Sequence, residues 1–172
     1  MTVHEFAVKL NGSHKHKEFW LNFYRQMFPN MVGCIFNDGD NAAQRMGVDA
    51  FLVMANGESI KVDEKGRDKD YGDVALEYIS NDTTNAPGWM EKDLSIDYLA
   101  YGIYPDNAQP GRAHLFPWPL LKLAWKRKRD EWIRTYPKVK APNPGYNTLS
   151  VAVPEREIWA EIYRCSTVKG TA

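Results

Sequence analysis

Cysteine is scarce: the chain has only Cys34 and Cys165, and neither belongs to a close pair. That excludes a disulfide-stapled scaffold and a zinc knuckle, and it fits a reducing, cytoplasmic setting. Net charge is also missing, because 22 Lys and Arg balance 22 Asp and Glu. No whole-protein field draws in a polyanion, so contact with nucleic acid must come from a local basic patch. No apolar run approaches the length of a membrane span, and the N-terminus has no signal-peptide core, so no membrane partner is expected. Internal repeats and low-complexity tracts are absent as well. Aromatic residues are plentiful, with six Trp and nine Tyr, which argues for an ordered chain. At 172 residues the expectation is one domain, spanning 1–172, with enough chain for a real core.

The chain is organised around Gly47 to Glu77, GVDAFLVMANGESIKVDEKGRDKDYGDVALE. Val48 to Met54 reads as a strand, Ala55-Asn56-Gly57 as a turn, and Ser59 to Lys65 as the return strand. Val74 to Ile79 reads as a third strand. Three acids and a lysine sit on these apolar strands: Asp49, Asp63, Lys65 and Glu77. Unpaired carboxylates are costly to bury, and a hard divalent cation held by oxygens would account for them. The turn tests this. A two-residue loop puts Asp49 opposite Glu64 and sends Asp63 to the other face. A three-residue loop, closed by a left-handed glycine at Gly57, pairs Met54 with Glu58 and sets Asp49 directly across from Asp63. Lys65 then shares their face by the period of two. Directly opposed Cβ atoms lie roughly 5 Å apart, within reach of one ion. The second register is favoured because Gly57 falls where a glycine is needed; Glu64 is the reserve ligand.

Elsewhere, Thr2 to Leu10 is read as a short strand and 14–28 as an amphipathic helix capped by Ser13 and stopped by Pro29. Its apolar side carries Phe19, Trp20, Phe23, Tyr24, Met27 and Phe28, with Glu18 pointing almost the opposite way. His14 and His16 read first as two exposed histidines without a role and only second as a metal pair. Gln44 and Arg45 precede the hairpin with side chains suited to phosphate or base. Trp89 is read as a core cap or as a platform for a base. Tyr98 to Tyr104 is a fourth strand. A helix from Pro119 to Tyr136 buries Leu120, Leu121, Ala124, Trp125, Trp132 and Ile133. It carries the densest basic run, Lys126-Arg127-Lys128-Arg129, readable as a solvated face balanced by acids or as a phosphate contact. Lys138 and Lys140 extend it. Tyr146 to Val153 is a last strand, and a helix from Pro154 buries Ile158, Trp159, Ile162 and Tyr163. This order gives a mixed α/β fold with a central sheet flanked by helices.

At the hairpin the sequence resembles the PD-(D/E)XK nuclease superfamily. Gly47-Val48-Asp49 matches the first acid, with Val48 in place of the proline, and Asp63-Glu64-Lys65 matches the D-x-K triplet. Glu77 falls where an accessory acid stands, and Glu18 matches an acid on the first helix. The run GVD, VDEKGR, DVALEYISN, GWM and DYLAYGIY also looks like small phage- and bacteria-borne members, and the match spans about Glu18 to Ile103. The resemblance implies a restriction-endonuclease-like fold, DNA as the partner, Mg²⁺ or Mn²⁺ as cofactor, and a bacterial cytoplasm as the setting. Asp49, Asp63 and Glu77 would be metal ligands. Arg67 would face the scissile phosphate, beside nucleic-acid contacts from Gln44, Lys126, Arg127 and Arg129. Many members dimerise to cut both strands, so a homodimer is implied too, although nothing in the sequence marks a dimer face.

By residue type, Asp49, Asp63 and a backbone carbonyl suit Mg²⁺ with several waters retained. Lys65 suits the orientation or deprotonation of a water. No serine or cysteine has a recognisable neighbouring base, so nothing suggests a covalent intermediate. Two readings follow: a metal-dependent endonuclease, or a nuclease-fold module without turnover that binds nucleic acid or blocks a protein.

Overall fold

A computed structural model describes residues 16–37, 46–106 and 110–167. The chain is mixed α/β and gathers into two compact units, one from residues 1–69 and 95–116, the other from 70–94 and 117–172.

The first unit opens with α1 (Lys17–Met27), which leads into β1 (Met31–Phe36), β2 (Ala50–Met54) and β3 (Ser59–Arg67). These three strands pair antiparallel in sequence order. After residues 70–94 the chain returns as β6 (Tyr98–Ile103) and β7 (Arg112–Pro117), completing a five-stranded sheet in the order β1-β2-β3-β6-β7. β6 lies parallel to β3, with Asp63 beside Leu99 and Lys65 beside Tyr101. Parallel neighbours need a long crossover, and here the crossover carries part of the second unit.

α1 starts later than the sequence suggests: His16 stands at its N-cap without a side-chain cap, and Ser13 lies outside the described residues. So do the strand read over Thr2 to Leu10, His14 and Gln44. The helix is held by its aromatic stripe. Trp20 and Tyr24 are buried against Ala50, Leu52, Val62, Ala100 and Leu115, with Phe19 and Phe23 packed beside them. At Gly102 the helix comes so close that an added Cβ would lie 2.7 Å from the Trp20 ring.

The second unit contains β4 (Asp73–Asn81), the two-residue β5 (Ala86–Pro87), α2 (Trp118–Thr135), β8 (Lys138–Asn143), β9 (Tyr146–Pro154) and α3 (Glu155–Ser166). Its antiparallel sheet has the order β5-β4-β9-β8. The third strand of the sequence reading, β4, is therefore not a neighbour of the hairpin; it pairs with β9, Val74 opposite Val153. α2 and α3 pack on each other and on β9. α2 buries Trp118, Leu121, Ala124, Trp125 and Trp132, while Leu120 and Ile133 are half-buried. Lys122 ties its first turns to the preceding loop, donating to the carbonyls of Met90 (2.8 Å) and Lys92 (3.0 Å).

Among the described residues four strands escape the sequence reading: β1, β7, β8 and the two-residue β5. One helix face is also corrected. α3 buries Ile158, Glu161, Ile162 and Cys165, whereas Trp159 and Tyr163 are exposed. Glu161 can take a core position because Arg127 (2.9 Å) and Arg164 (3.1 Å) neutralise it. Among the described residues no helix is long and apolar enough to cross a membrane.

Leu52 is fully enclosed by the α1 aromatics. Leu52→Ala should lower the unfolding free energy by about 3 kcal/mol, read as a shift in urea midpoint at unchanged slope. Trp159→Ala should cost under about 0.5 kcal/mol, as an exposed site does.

Candidate active site

The turn between β2 and β3 sets the site. The Met54 N–H donates to the Glu58 carbonyl and the Gly57 N–H to the Met54 carbonyl, each at 2.9 Å. Gly57 has φ +85°, the left-handed conformation that a side chain resists. This is the three-residue loop, and the ladder follows from it: Val53 opposite Ser59, Leu52 opposite Ile60, Ala50 opposite Val62. The ladder ends with Ala50 opposite Val62. Just before it the Asp49 N–H also donates to the Val62 carbonyl, at 2.9 Å, a break in the regular pairing, and the Asp49 carboxylate lies close to that of Asp63.

Asp63 is only 2 % exposed. One carboxylate oxygen, Oδ1, accepts from Lys65 Nζ at 2.7 Å, and Lys65 also donates to the Glu64 carbonyl at 3.3 Å. The other oxygen, Oδ2, is buried and accepts from no donor among the described residues. Burial pushes the Asp63 carboxyl up to about 7; the Lys65 ammonium pulls the other way, and Asp49 adds to the rise. Asp49 Oδ2 accepts the Glu64 N–H at 2.8 Å.

Glu64 points to the α1 side of the sheet, where Tyr24 Oη donates to its Oε1 at 2.8 Å. The reserve ligand is thus hydrogen-bonded to the helix. Burial pushes Glu64 up to about 8; the Tyr24 hydroxyl opposes this, and the charges of Asp49 and Asp63 add to it. Desolvation likewise pushes the nearby Cys34 thiol up to about 11, with Glu64 adding to the rise. It is no thiolate nucleophile at neutral pH. The Tyr24 anchor escaped the sequence reading, where Tyr24 counts only as one more aromatic on the stripe. Its signal was a hydroxyl at the centre of a buried face, which needs a polar partner.

The structure therefore brings Asp49, Asp63 and Lys65 together. Arg67 follows on the same face of β3, its guanidinium 5.7 Å from the centre of the Tyr101 ring. Glu77 stands on β4 in the second unit, where its Oε1 accepts the Trp89 N–H at 3.2 Å. Trp89 is itself buried, as a core residue. Glu18 is exposed and lines a groove of about 680 Å³ with Asn22, Gln26 and Arg112. His16 stacks on Tyr104 with ring centroids 3.5 Å apart. Much of the basic run is spent on ion pairs: Arg127 with Glu161, Lys128 with Glu131 (2.7 Å), and Arg129 with Glu91 (2.6 Å). Lys126 is exposed on α2. The balanced-face alternative thus describes most of that helix.

Among the described residues no three His, Cys, Asp or Glu side chains are arranged to hold an ion. Asp49 and Asp63 are two carboxylates, which is what Mg²⁺ requires when water fills its remaining positions. The buried, unpaired Asp63 Oδ2 is the atom that a cation would satisfy, and the all-oxygen donor set suits a hard one. The residues fit the metal.

Compared with protein-family models, with curated proteins and with solved structures, the chain matches none.

Both Asp63 and Glu64 hold protons more tightly folded than unfolded. Stability from this source is complete below the ordinary carboxylate range and is lost as pH rises through about 7 to 8. In EDTA the urea midpoint should therefore fall between pH 5 and pH 9. Asp63→Asn, which cannot ionise there, should flatten that decline.

Proposed function

We propose that the chain is a metal-dependent endonuclease that hydrolyses DNA, with Asp49 and Asp63 holding Mg²⁺ or Mn²⁺ and Lys65 acting on the attacking water. One observation carries this reading. A buried carboxylate oxygen, Asp63 Oδ2, lacks a donor among the described residues, while the Asp49 carboxylate lies close to it and Lys65 pairs with the other oxygen. The placement of Asp63 and Lys65 two residues apart on β3 is compatible with the D-x-K triplet of the PD-(D/E)XK resemblance, as is the mixed α/β fold, while their ion pair also suits a purely structural salt bridge.

When bound, the metal supplies an acidified water and positive charge for the phosphate in the transition state. The protein's part is positional. Asp49 is fixed by the Glu64 N–H and Asp63 by Lys65, so both acids are aimed before any ligand arrives. Lys65 is 31 % exposed along its side chain. It can release Asp63 to the metal and turn its ammonium to the attacking water or to a phosphate oxygen. Arg67, two residues on along the same face, is placed to bind a neighbouring phosphate. This chemistry does not require Glu77.

The second reading, a nuclease-fold module without turnover that binds nucleic acid or a protein, is favoured by one feature. The ion pairs of Arg127 and Arg129 take up charge that phosphate contacts would use.

Supercoiled plasmid incubated with the protein and Mg²⁺ or Mn²⁺ should be nicked or linearised, and EDTA should stop the reaction. Asp63→Ala and Lys65→Ala should each lower the rate by about 100-fold or more. Cleavage that survives both substitutions would sink the assignment. Inactivity with every metal on plasmid, single-stranded DNA and RNA would favour the binding module.

A further inference from the structure

Among the described residues two sheets present four edges, and three of them are defended against pairing with another chain. β8 carries Lys138, Lys140 and Pro142, β5 is two residues long, and β7 carries Arg112, His114 and Pro117. Charges, prolines and short length are the usual means of blunting an edge. β1 has fewer of them. Its sequence is MVGCIF, with no charge and no proline. Val32 and Ile35 on it are 68 % and 60 % exposed. Its one irregularity is a bulge at Val32, between the pairs Met31–Met54 and Gly33–Val53.

The Asn37 N–H bonds to the Asp49 carbonyl. Alternation along an antiparallel ladder then directs the N–H and C=O of Ile35 and Gly33 towards β2, and those of Cys34 and Phe36 outward. Beside this edge, which no other described strand pairs, lies a groove of about 360 Å³ lined by Leu21 and Arg25 of α1 and by Met31, Val32, Gly33 and Cys34 of β1. Arg25 is exposed and forms no ion pair among the described residues. A strand edge flanked by a helix, with a pocket between them, is the arrangement by which extended peptides add to a sheet.

We propose that the β1 edge of the first unit binds an extended, acidic peptide segment of a partner protein. The backbone of that segment pairs with Cys34 and Phe36, an apolar side chain enters the groove against Leu21, and a carboxylate meets Arg25. The occupant is set by charge: among the described residues the one ionic group lining the groove is the cation of Arg25, and the strand itself contributes none. This surface is independent of the Asp49–Asp63 site and does not rest on its chemistry.

The probe is a phage-displayed library of random dodecapeptides, panned against the full chain. The strongest binders are then synthesised and measured by fluorescence anisotropy. Enriched peptides should be β-prone and carry Asp or Glu. Arg25→Glu and Ile35→Lys, both at exposed positions, should each weaken the synthetic peptide at least 10-fold, and panning on Arg25→Glu should select Lys or Arg in place of the acid. Bound peptide should slow hydrogen exchange at the Cys34 and Phe36 amides. Three results would overturn the proposal: no enrichment above an unrelated protein, binding indifferent to both substitutions, or a self-associating chain in sedimentation equilibrium that Ile35→Lys makes monomeric. The last would assign the edge to a second copy.

Discussion

A carboxylate enclosed within a sheet must be neutralised by something, and Asp63 sets that demand on the first unit. Lysine, proton and metal are the three available answers. Lys65 supplies one, at the range of a charge-assisted hydrogen bond, but it covers only one oxygen. Asp49 across the hairpin makes the demand worse, since two carboxylates facing each other favour a shared cation or a retained proton. Apolar side chains of similar size would pack there at no such cost. The chain bears the cost where the Asp49 and Asp63 carboxylates lie close together, and that cost is what supports the proposed site.

The register that creates the coincidence is local. Asn56 closes the turn on itself, its carbonyl Oδ1 accepting the Glu58 N–H at 3.0 Å, and Gly57 adopts the conformation that only glycine takes freely. Two turn residues therefore fix the ladder that ends at Ala50 and Val62, beside which Asp49 and Asp63 come close together. That is why this part of the site could be read from the sequence: the information lies within a few residues of the atoms it positions. The α1 stripe and the α2 face were legible for the same reason, since a helix displays its buried side by its own period.

What stayed hidden was set at a distance. MVGCIF is too short and too uniformly apolar to show a period, so nothing local marked β1 as a strand. KVKAPN carries lysines and a proline, and looked like a basic extension, although those residues are what suit β8 to an edge. β4 was recognisable as a strand, but its partner, β9, begins at Tyr146, and no local pattern names a partner that remote. Likewise α3 hides Glu161 in place of Trp159, an exchange legible only once Arg127 of another helix is known to lie beside it.

The parallel contact between β3 and β6 bears on how the chain is made. β1, β2 and β3 can meet as soon as Arg67 is available, since their contacts are close in sequence. The far side of β3 then has no neighbour until β6 is made, some thirty residues later, and β4 waits longer still for β9. Each unit's sheet thus depends on a strand synthesised after part of the other unit. Neither can finish on the ribosome in isolation, and the high contact order points to slow closure. During that interval the open flank of β3 presents Asp63 and Lys65, and a charged flank resists the stray pairing that an apolar one would invite. The residues that later burden the finished sheet are, on the nascent chain, a safeguard.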